Sequence, residues 1–489
     1  MIKKLLRFTL GAFTLLTAII LAFSLISNIT KNLFTDIWVI IAPLLIVTAI
    51  VIPPTRTKLI QTLSWVFTQK KVATYTGIGL LVLSLVVRFA FLWLSYEPVS
   101  DPATFLTMAQ RLATDGGLLH NIYVGLFPYT IPYDLLLSGS LAIFSNKVLA
   151  IIALNTVFDV IGIVAVYSIA HYFTRKQHTS ILFTGVYATL PFTIFFIPLS
   201  LPVVAVNAFI IASLAGFLYL IRAVSQQNNK QILIYSLTTG LSLAVLNWFR
   251  PFTIIFIIAI IVWYVLYVIR KKSLKQVKII TASVAIFIGL YIAGGMAFSA
   301  LASHITGYSK VGGSGWSLYL GANKDTYGGW NQTDKNLQLE LGKKHHEPSI
   351  VQATFTRLAI DRYLALSPME FANLMVHKFV TLSGDMKNVT YNLRASYPAI
   401  ANHQTVDSAI MSINLITIVA LLCAVIHLLL RTKPKVDYSL FLIITFSGLY
   451  VSSLLLEVIN RYFLPFIPLL FVLMLSLLAS RKNTMTKIK

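Results

Sequence analysis

The stretch YEPVSDPATF, residues 96–105, places two carboxylates, Glu97 and Asp101, within five residues of each other. A carboxylate held beside a hydroxyl can act as general base as that hydroxyl attacks an activated carbon. Arg88, Arg250 and Arg461 stand in or beside apolar runs, and a guanidinium fork matches two phosphate oxygens. Together these residue types suit transfer of a group from an anionic, phosphate-bearing donor.

Plainer readings compete at each position. Asp-Pro-Ala is a common helix opening, so spacing alone favours Asp101 as an N-cap. Each arginine can snorkel or pair internally, and Glu457 and Arg461 have the i, i+4 spacing of mutual neutralisation. Asp159, in LNTVFDVIGIV, has no evident partner and sits nearer mid-membrane. It reads first as a helix–helix hydrogen bonder and second as a catalytic or proton-relay group. His345, His346 and Glu347 are potential metal ligands. Adjacent side chains on one short stretch seldom face one ion, so a solvated loop is favoured and no metal site is assigned.

The elements that must hold these residues are membrane helices. The chain has 489 residues, of which 57% are hydrophobic and 11% charged, outside the range of roughly 45–50% apolar and ~25% charged for soluble domains. Windows of about 20 apolar residues fall at 7–28, 37–53, 75–95, 148–172, 179–198, 201–221, 232–249, 251–269, 279–301, 409–430, 438–457 and 462–480. The expected fold class is an all-α polytopic membrane protein with about twelve spans. MIKKLLR and its apolar continuation imitate a secretory signal, yet the apolar part is long and shows no cleavage site, so a retained helix is expected.

Charge gives the orientation. The short loops and termini that alternate with these windows carry 23 of the 39 basic residues, with Asp437 as their one acid, which is +22 of the net +23. Lys and Arg mark the cytoplasmic side, so both termini are expected there and the basicity reflects topology, which removes the case for nucleic acid. Cys423 is the single cysteine and can form no internal disulfide. No Walker loop, Rossmann fingerprint, zinc spacing or G-x-S-x-G elbow appears.

Two long loops remain on the opposite side. The first, 97–146, carries four acids and one base. It opens with an amphipathic helix bearing Phe105, Met108, Ala109 and Leu112 on one face; FPYTIPYDLLLSGSLAIF follows, with prolines spaced as turn or half-buried elements. The second, 302–408, starts Gly-rich at 311–331 and shows two helical patterns around 349–383. The expected units are 1–74, an N-terminal hairpin with its cytoplasmic loop; 75–301, a membrane core that includes the first loop; 302–408, a small extracytoplasmic unit, mixed α/β or α; and 409–489, terminal helices with a basic tail.

Several segments, in order, resemble the GT-C glycosyltransferases, specifically the branch that includes protein mannosyltransferases and aminoarabinose transferases, family 39-like. VVRFAFLWLSYEPVSDPATFLTMAQRLATDGG is similar to that branch's first core helix and loop. FPYTIPYDLLLSGSLAIF is similar to the loop's exit, NWFRPF to its Arg-Pro junction, and WSLYLGANKDTYGGWN to its outer-loop segment. LALSPMEFANLMVHKFVTLSGD is similar to its membrane-lying helix with a central lysine, and EVINRYFLPFIPLL to its terminal Arg-Tyr-Pro pattern. The matches run from about residue 80 to 470.

The resemblance implies an integral-membrane glycosyltransferase on the outer face of a bacterial-type cytoplasmic membrane. It would move a sugar from a polyprenyl-phosphate donor to an envelope polymer, lipid or protein acceptor, with inversion. Asp101 takes the catalytic-base position, Arg88, Arg250, Lys378 and Arg461 the donor-phosphate positions, and Glu97, Asp159, Tyr129, Glu457 and Tyr462 supporting ones. No cofactor is assigned with certainty, and dependence on a divalent cation stays open, since a carboxylate near a phosphate could bind one. Two departures stand out: Pro102 follows Asp101 where the family often has an acidic pair, and the hairpin at 7–53 precedes the family-like core. The alternative from another class is a transporter or flippase of a lipid-linked glycan, for which midplane polar sites would be expected.

Overall fold

The computed structural model describes residues 15, 65–66, 69–114, 117–270, 273–384, 391–400 and 438–485. The helices expected at 7–28, 37–53 and 409–430, and Cys423, lie outside these residues. Among the described residues every regular element is helical and there is no strand. In a bilayer the backbone must satisfy itself, and an unbroken apolar run does so as a helix.

In chain order the helices are α1 Lys70–Ala90, α2 Ser100–Thr114, α3 Ile122–Leu126, α4 Ile131–Ile143, α5 Lys147–Thr174, α6 Gln177–Ala188, α7 Pro191–Ile194, α8 Val203–Gln226 and α9 Asn229–Phe249. They continue with α10 Ile254–Arg270, α11 Leu274–Thr306, α12 Gly315–Gly321, α13 Gln332–His345, α14 Pro348–Leu364, α15 Pro368–Gly384, α16 Tyr391–Ser396, α17 Tyr438–Leu455 and α18 Phe466–Met485. Six described segments are long and apolar enough to cross a membrane: Lys70–Trp93, α5, α8, α9, α11 and α17. Shorter apolar helices span Ile254–Ile269 and Phe466–Ser476. The chain is therefore an all-α membrane protein.

The core is built around α8, which packs against α5 on one side and α9 on the other, with α9 in turn against α11. α1 crosses α6 at a pair of glycines. A Cβ on Gly185 would stand 2.5 Å from the Gly77 carbonyl oxygen, so only glycine permits this close approach. Contacts along these pairs bring the α1, α6, α9 and α11 N-termini and the α5 and α8 C-termini to one end. Lys275 Nζ donates to Gln227 Oε1 there at 3.0 Å, and Arg222 lies over Tyr172. Lys70, Lys71, Arg175, Lys176, Lys230 and Lys278 follow from the same geometry.

One expected span does not form as such. The apolar window 179–198 holds α6, only 12 residues long, and then turns repeatedly through LPFTIFFIPLSLP. Pro191, Pro198 and Pro202 interrupt the helix, and the freed carbonyls are met from neighbouring elements. Asn155 Nδ2 donates to Ile197 O and Leu199 O, both at 2.9 Å. The Tyr397 hydroxyl donates to Pro198 O at 3.1 Å.

At the other end the two long loops pack together. Gln352 Nε2 donates to Leu126 O at 3.0 Å and the Tyr308 hydroxyl to His120 O at 2.8 Å. In the first loop the Pro/Tyr stretch is more regular than its prolines suggest. A 3₁₀ turn at Pro128–Thr130 leads into α4, where Pro132 occupies an early position that needs no amide hydrogen. In the second loop the two expected helices are α14 and α15, and α13 is additional. The His345–His346–Glu347 stretch ends α13, with His346 at φ +52°. Glu347 Oε1 accepts from Ser309 Oγ at 3.2 Å.

Candidate functional site

YEPVSDPATF is clamped from two sides. The Tyr96 hydroxyl and Ser200 Oγ are hydrogen-bonded at 2.9 Å, and Ser200 Oγ donates to Pro102 O at 2.6 Å. Tyr96 also packs against the Tyr397 ring, with centroids 5.0 Å apart, and the Glu97 amide donates to Ser396 O at 2.9 Å. The Glu97 carboxylate is exposed and, among the described residues, accepts only a long bond from Ser95 Oγ, 3.4 Å. Helix α2 begins at Ser100, so Asp101 stands inside its first turn rather than before it as a cap. A carboxylate in that position is favoured by the helix dipole.

Asp101 is half-buried, and its charge reaches the ammonium of Lys335 on α13. Burial pulls the Lys335 ammonium below the usual lysine range, with Asp101 opposing that shift. Lys335 Nζ also donates to Gln338 Oε1 at 2.6 Å. The next residue back, Asp334, anchors this helix. Arg362 Nη2 donates to Asp334 Oδ1 at 2.7 Å and Nη1 to Oδ2 at 3.1 Å, while Asn323 and Asn331 donate to Oδ2 at 2.9 and 2.7 Å. Burial pushes the Asp334 carboxyl upward, but these donors outweigh it and hold it below the usual range. The Arg362 guanidinium lies 3.5 Å from the Tyr319 ring centroid.

A second group forms around Arg250. Its guanidinium lies over Tyr129, at 5.1 Å from the centroid, and over Tyr462, at 5.4 Å. The Tyr462 hydroxyl donates to Glu457 Oε2 at 3.2 Å. Glu457 is buried, and its amide donates to Ser317 O at 2.7 Å. Helix α17 ends at Leu455, so residues 457–461 lack the helical i, i+4 geometry expected of a Glu457–Arg461 pair. The Arg461 side chain lies outside the described side chains.

Lys378, on α15, is fully buried. Its ammonium donates to Gly321 O at 2.8 Å and to the Tyr363 hydroxyl at 3.4 Å. Gly328 closes over it. At φ +79°, with a Cβ that would meet Lys378 Cε at 2.9 Å, this position requires glycine. Burial pushes the Lys378 ammonium down to about 7, with the Glu457 charge opposing. Tyr129, Arg250, Tyr462, Glu457 and Lys378 thus form one chain of contacts and charge interactions.

Arg88 stands apart. Its Nη2 lies 3.0 Å from Asp159 Oδ2, both side chains are buried, and the guanidinium also donates to Ala188 O at 3.2 Å and to Ser84 Oγ. Asp159 therefore has the partner that the sequence did not reveal. The Arg88 guanidinium is committed inward, to α5, rather than presented with Arg250. Asp134 is also buried, and among the described residues neither carboxylate oxygen has a hydrogen-bond partner. Burial holds it well above the usual carboxylate range, with the neighbouring Thr130 hydroxyl opposing.

Sequence reasoning missed Lys335, the Asp334–Arg362 anchor and the Ser200 clamp. The only signal was polar residue type inside a loop and inside an apolar stretch. Among the described residues no group of three or more His, Cys, Asp or Glu could hold a metal ion. No family model, curated protein or solved structure matches the chain.

Proposed function

We propose that this chain is a GT-C-like membrane glycosyltransferase. It moves a sugar from a polyprenyl-phosphate donor to an envelope polymer, lipid or protein acceptor at the outer face of a bacterial-type cytoplasmic membrane. The ordered motifs between about residues 80 and 470 supply the resemblance. The observation that carries the reading is the way one hydrogen-bonded loop unit serves both candidate groups. Asp334 anchors the helix that carries Lys335, whose charge interacts with that of Asp101, and the 321–328 turn holds Lys378, whose charge interacts with that of Glu457.

In this reading Asp101 accepts the proton from an acceptor hydroxyl as its oxygen bonds to the anomeric carbon. The bond from that carbon to the donor phosphate oxygen breaks, and the phosphate leaves as an anion. Arg250 is the cation best placed to meet that anion. It is half-exposed, it is held by two aromatic faces, and among the described residues no carboxylate pairs with it. Stabilising the departing charge lowers the barrier where charge develops. Lys378 and Arg88 act from within the fold, Lys378 by holding the loop turn and Arg88 by neutralising Asp159. A carrier would be expected to have midplane polar sites, and Asp159, the acid that the sequence puts nearest mid-membrane, is paired with Arg88.

The test is sugar transfer by purified chain supplied with a polyprenyl-phosphate sugar, wild type against Asp101→Asn. Loss of a general base lowers turnover by about 10²–10⁴-fold. Undiminished turnover removes Asp101 from the role. Donor translocation across vesicles without any transfer would replace the reading with the carrier.

A further inference from the structure

A groove of about 590 Å³ runs between α5 and α9, with α8 as its floor. Its floor is formed by small residues of α8, Ala212, Ala215 and Gly216. Its α5 side is lined by branched aliphatics, Val160, Ile161 and Val164, that stand exposed among the described residues. Val160 and Val164 on α5 are 50% and 58% exposed, and Leu237 and Leu241 on α9 are 39% and 52% exposed. On membrane-spanning helices such side chains face acyl chains.

The groove changes character at the basic end. Ser168, Tyr219 and Tyr235 line it there, and the Tyr219 hydroxyl donates to Ser168 O at 3.0 Å. The Tyr219 ring packs on Tyr235 at 5.4 Å and edge-on to Tyr172 at 5.6 Å. Two guanidiniums lie over that same Tyr172 ring, Arg175 at 5.5 Å and Arg222 at 5.8 Å. Tyr172 packs on Tyr219, which lines the groove, so both guanidiniums stand one ring away from its basic end.

Neither arginine is in an ion pair among the described residues. Arg175 is exposed and its Nε donates to Tyr172 O at 3.0 Å; among the described residues its terminal nitrogens and the half-buried Arg222 guanidinium donate no hydrogen bond. Two like charges gathered at one ring repel each other, and an anion between them turns that repulsion into attraction. Paired guanidiniums match phosphate geometry, and the basic end of a membrane protein faces an anionic leaflet.

We propose that this groove is a binding site for an anionic phospholipid of the leaflet at the basic end. One acyl chain lies between α5 and α9 on the Ala212–Ala215 floor, and the phosphate sits between Arg175 and Arg222. The site is separate from the Asp101 and Arg250 groups, which belong to the opposite end, and does not depend on the proposed transferase activity.

The test uses the full chain in mild detergent, with native mass spectrometry after addition of phosphatidylglycerol or phosphatidylcholine bearing the same acyl chains. The wild type is expected to retain phosphatidylglycerol preferentially. Arg175→Gln and Arg222→Gln each reduce retention about fivefold. Ala212→Phe, which fills the floor and keeps both arginines, reduces it as well. Lys278→Gln, an exposed cation at the same end outside the groove, leaves it unchanged.

Equal retention of the two lipids overturns the proposal. So does a loss with Lys278→Gln as large as with the arginine variants, since that is general attraction to a basic surface. A dimer that carries no lipid and that Ala212→Phe dissociates would assign the groove to a second copy of the chain. If Ala212→Phe does not fold, the arginine variants, checked by their melting temperatures in lipid-free detergent, still decide the outcome.

Discussion

Arg88 Nη2 and Asp159 Oδ2 lie 3.0 Å apart between α1 and α5, and neither side chain is more than 6% exposed. Each offsets part of the other's cost of burial. The pair also locates α1 against the core, because Arg88 reaches past Asp159 to the end of α6 at Ala188.

Breaking this pair from one side should be far worse than removing both charges. Arg88→Met or Asp159→Leu alone leaves a buried unpaired charge and should destabilise by roughly 3–5 kcal/mol. The double variant should recover most of that loss. Thermal unfolding of the four proteins in one detergent measures it. A double variant no better than the worse single would mean that packing, rather than charge pairing, sets the effect.

Arg250 should depend on shape as well as charge. Its guanidinium lies over both Tyr129 and Tyr462, and an ammonium lacks the planar, delocalised charge that stacks on aromatic faces. Arg250→Lys is expected to raise KM for a polyprenyl-phosphate donor by about tenfold with little change in stability, since cation–π contacts contribute ~0.5–2 kcal/mol. Equal KM values for wild type and variant would take Arg250 out of donor binding.

Lys378 should leave a signature in the pH dependence of stability. Its folded value is about 7, against ~10.4 in an unfolded chain. Between those values the unfolded state binds the extra proton, so stability rises with pH across the window and is flat outside it. Lys378→Met removes the titrating group, and its stability should not show that rise. Chemical denaturation at several pH values from 6 to 11 compares the slopes, and an unchanged slope in the variant would assign the dependence to another group.

Asp334 ties α13 to α14 and to the 321–331 turn through Arg362, Asn323 and Asn331. Asp334→Ala leaves these donors without their shared acceptor and should cost about 2–3 kcal/mol locally. Limited proteolysis should show faster cleavage between residues 321 and 347 with the membrane helices still intact. Because the same helix carries Lys335, whose charge interacts with that of Asp101, transfer should fall together with protection. Faster cleavage with full transfer would separate this anchor from the site.

Much of the architecture was legible in the sequence. Apolar runs about 20 residues long have one favourable backbone state in a bilayer, so α1, α5, α8, α9 and α11 emerged close to their observed bounds. The 179–198 window misled, because hydropathy counts apolar residues and does not register that three prolines turn the chain. What makes the turns tolerable is a distant residue, Asn155, that hydrogen-bonds the exposed carbonyls.

The sequence by itself determined residue type, helical period and which end of the helices is basic, all of which are local or additive properties. Only the tertiary structure decided which charges meet. Arg88 and Asp159 are 71 positions apart, and Lys378 and Gly321 are 57 apart. Their pairing depends on how helices cross and where loops fold back, which no window along the chain contains. The same holds for the groove beside Tyr219. Its floor, rims and two arginines come from three helices, and each alone reads as an ordinary membrane span.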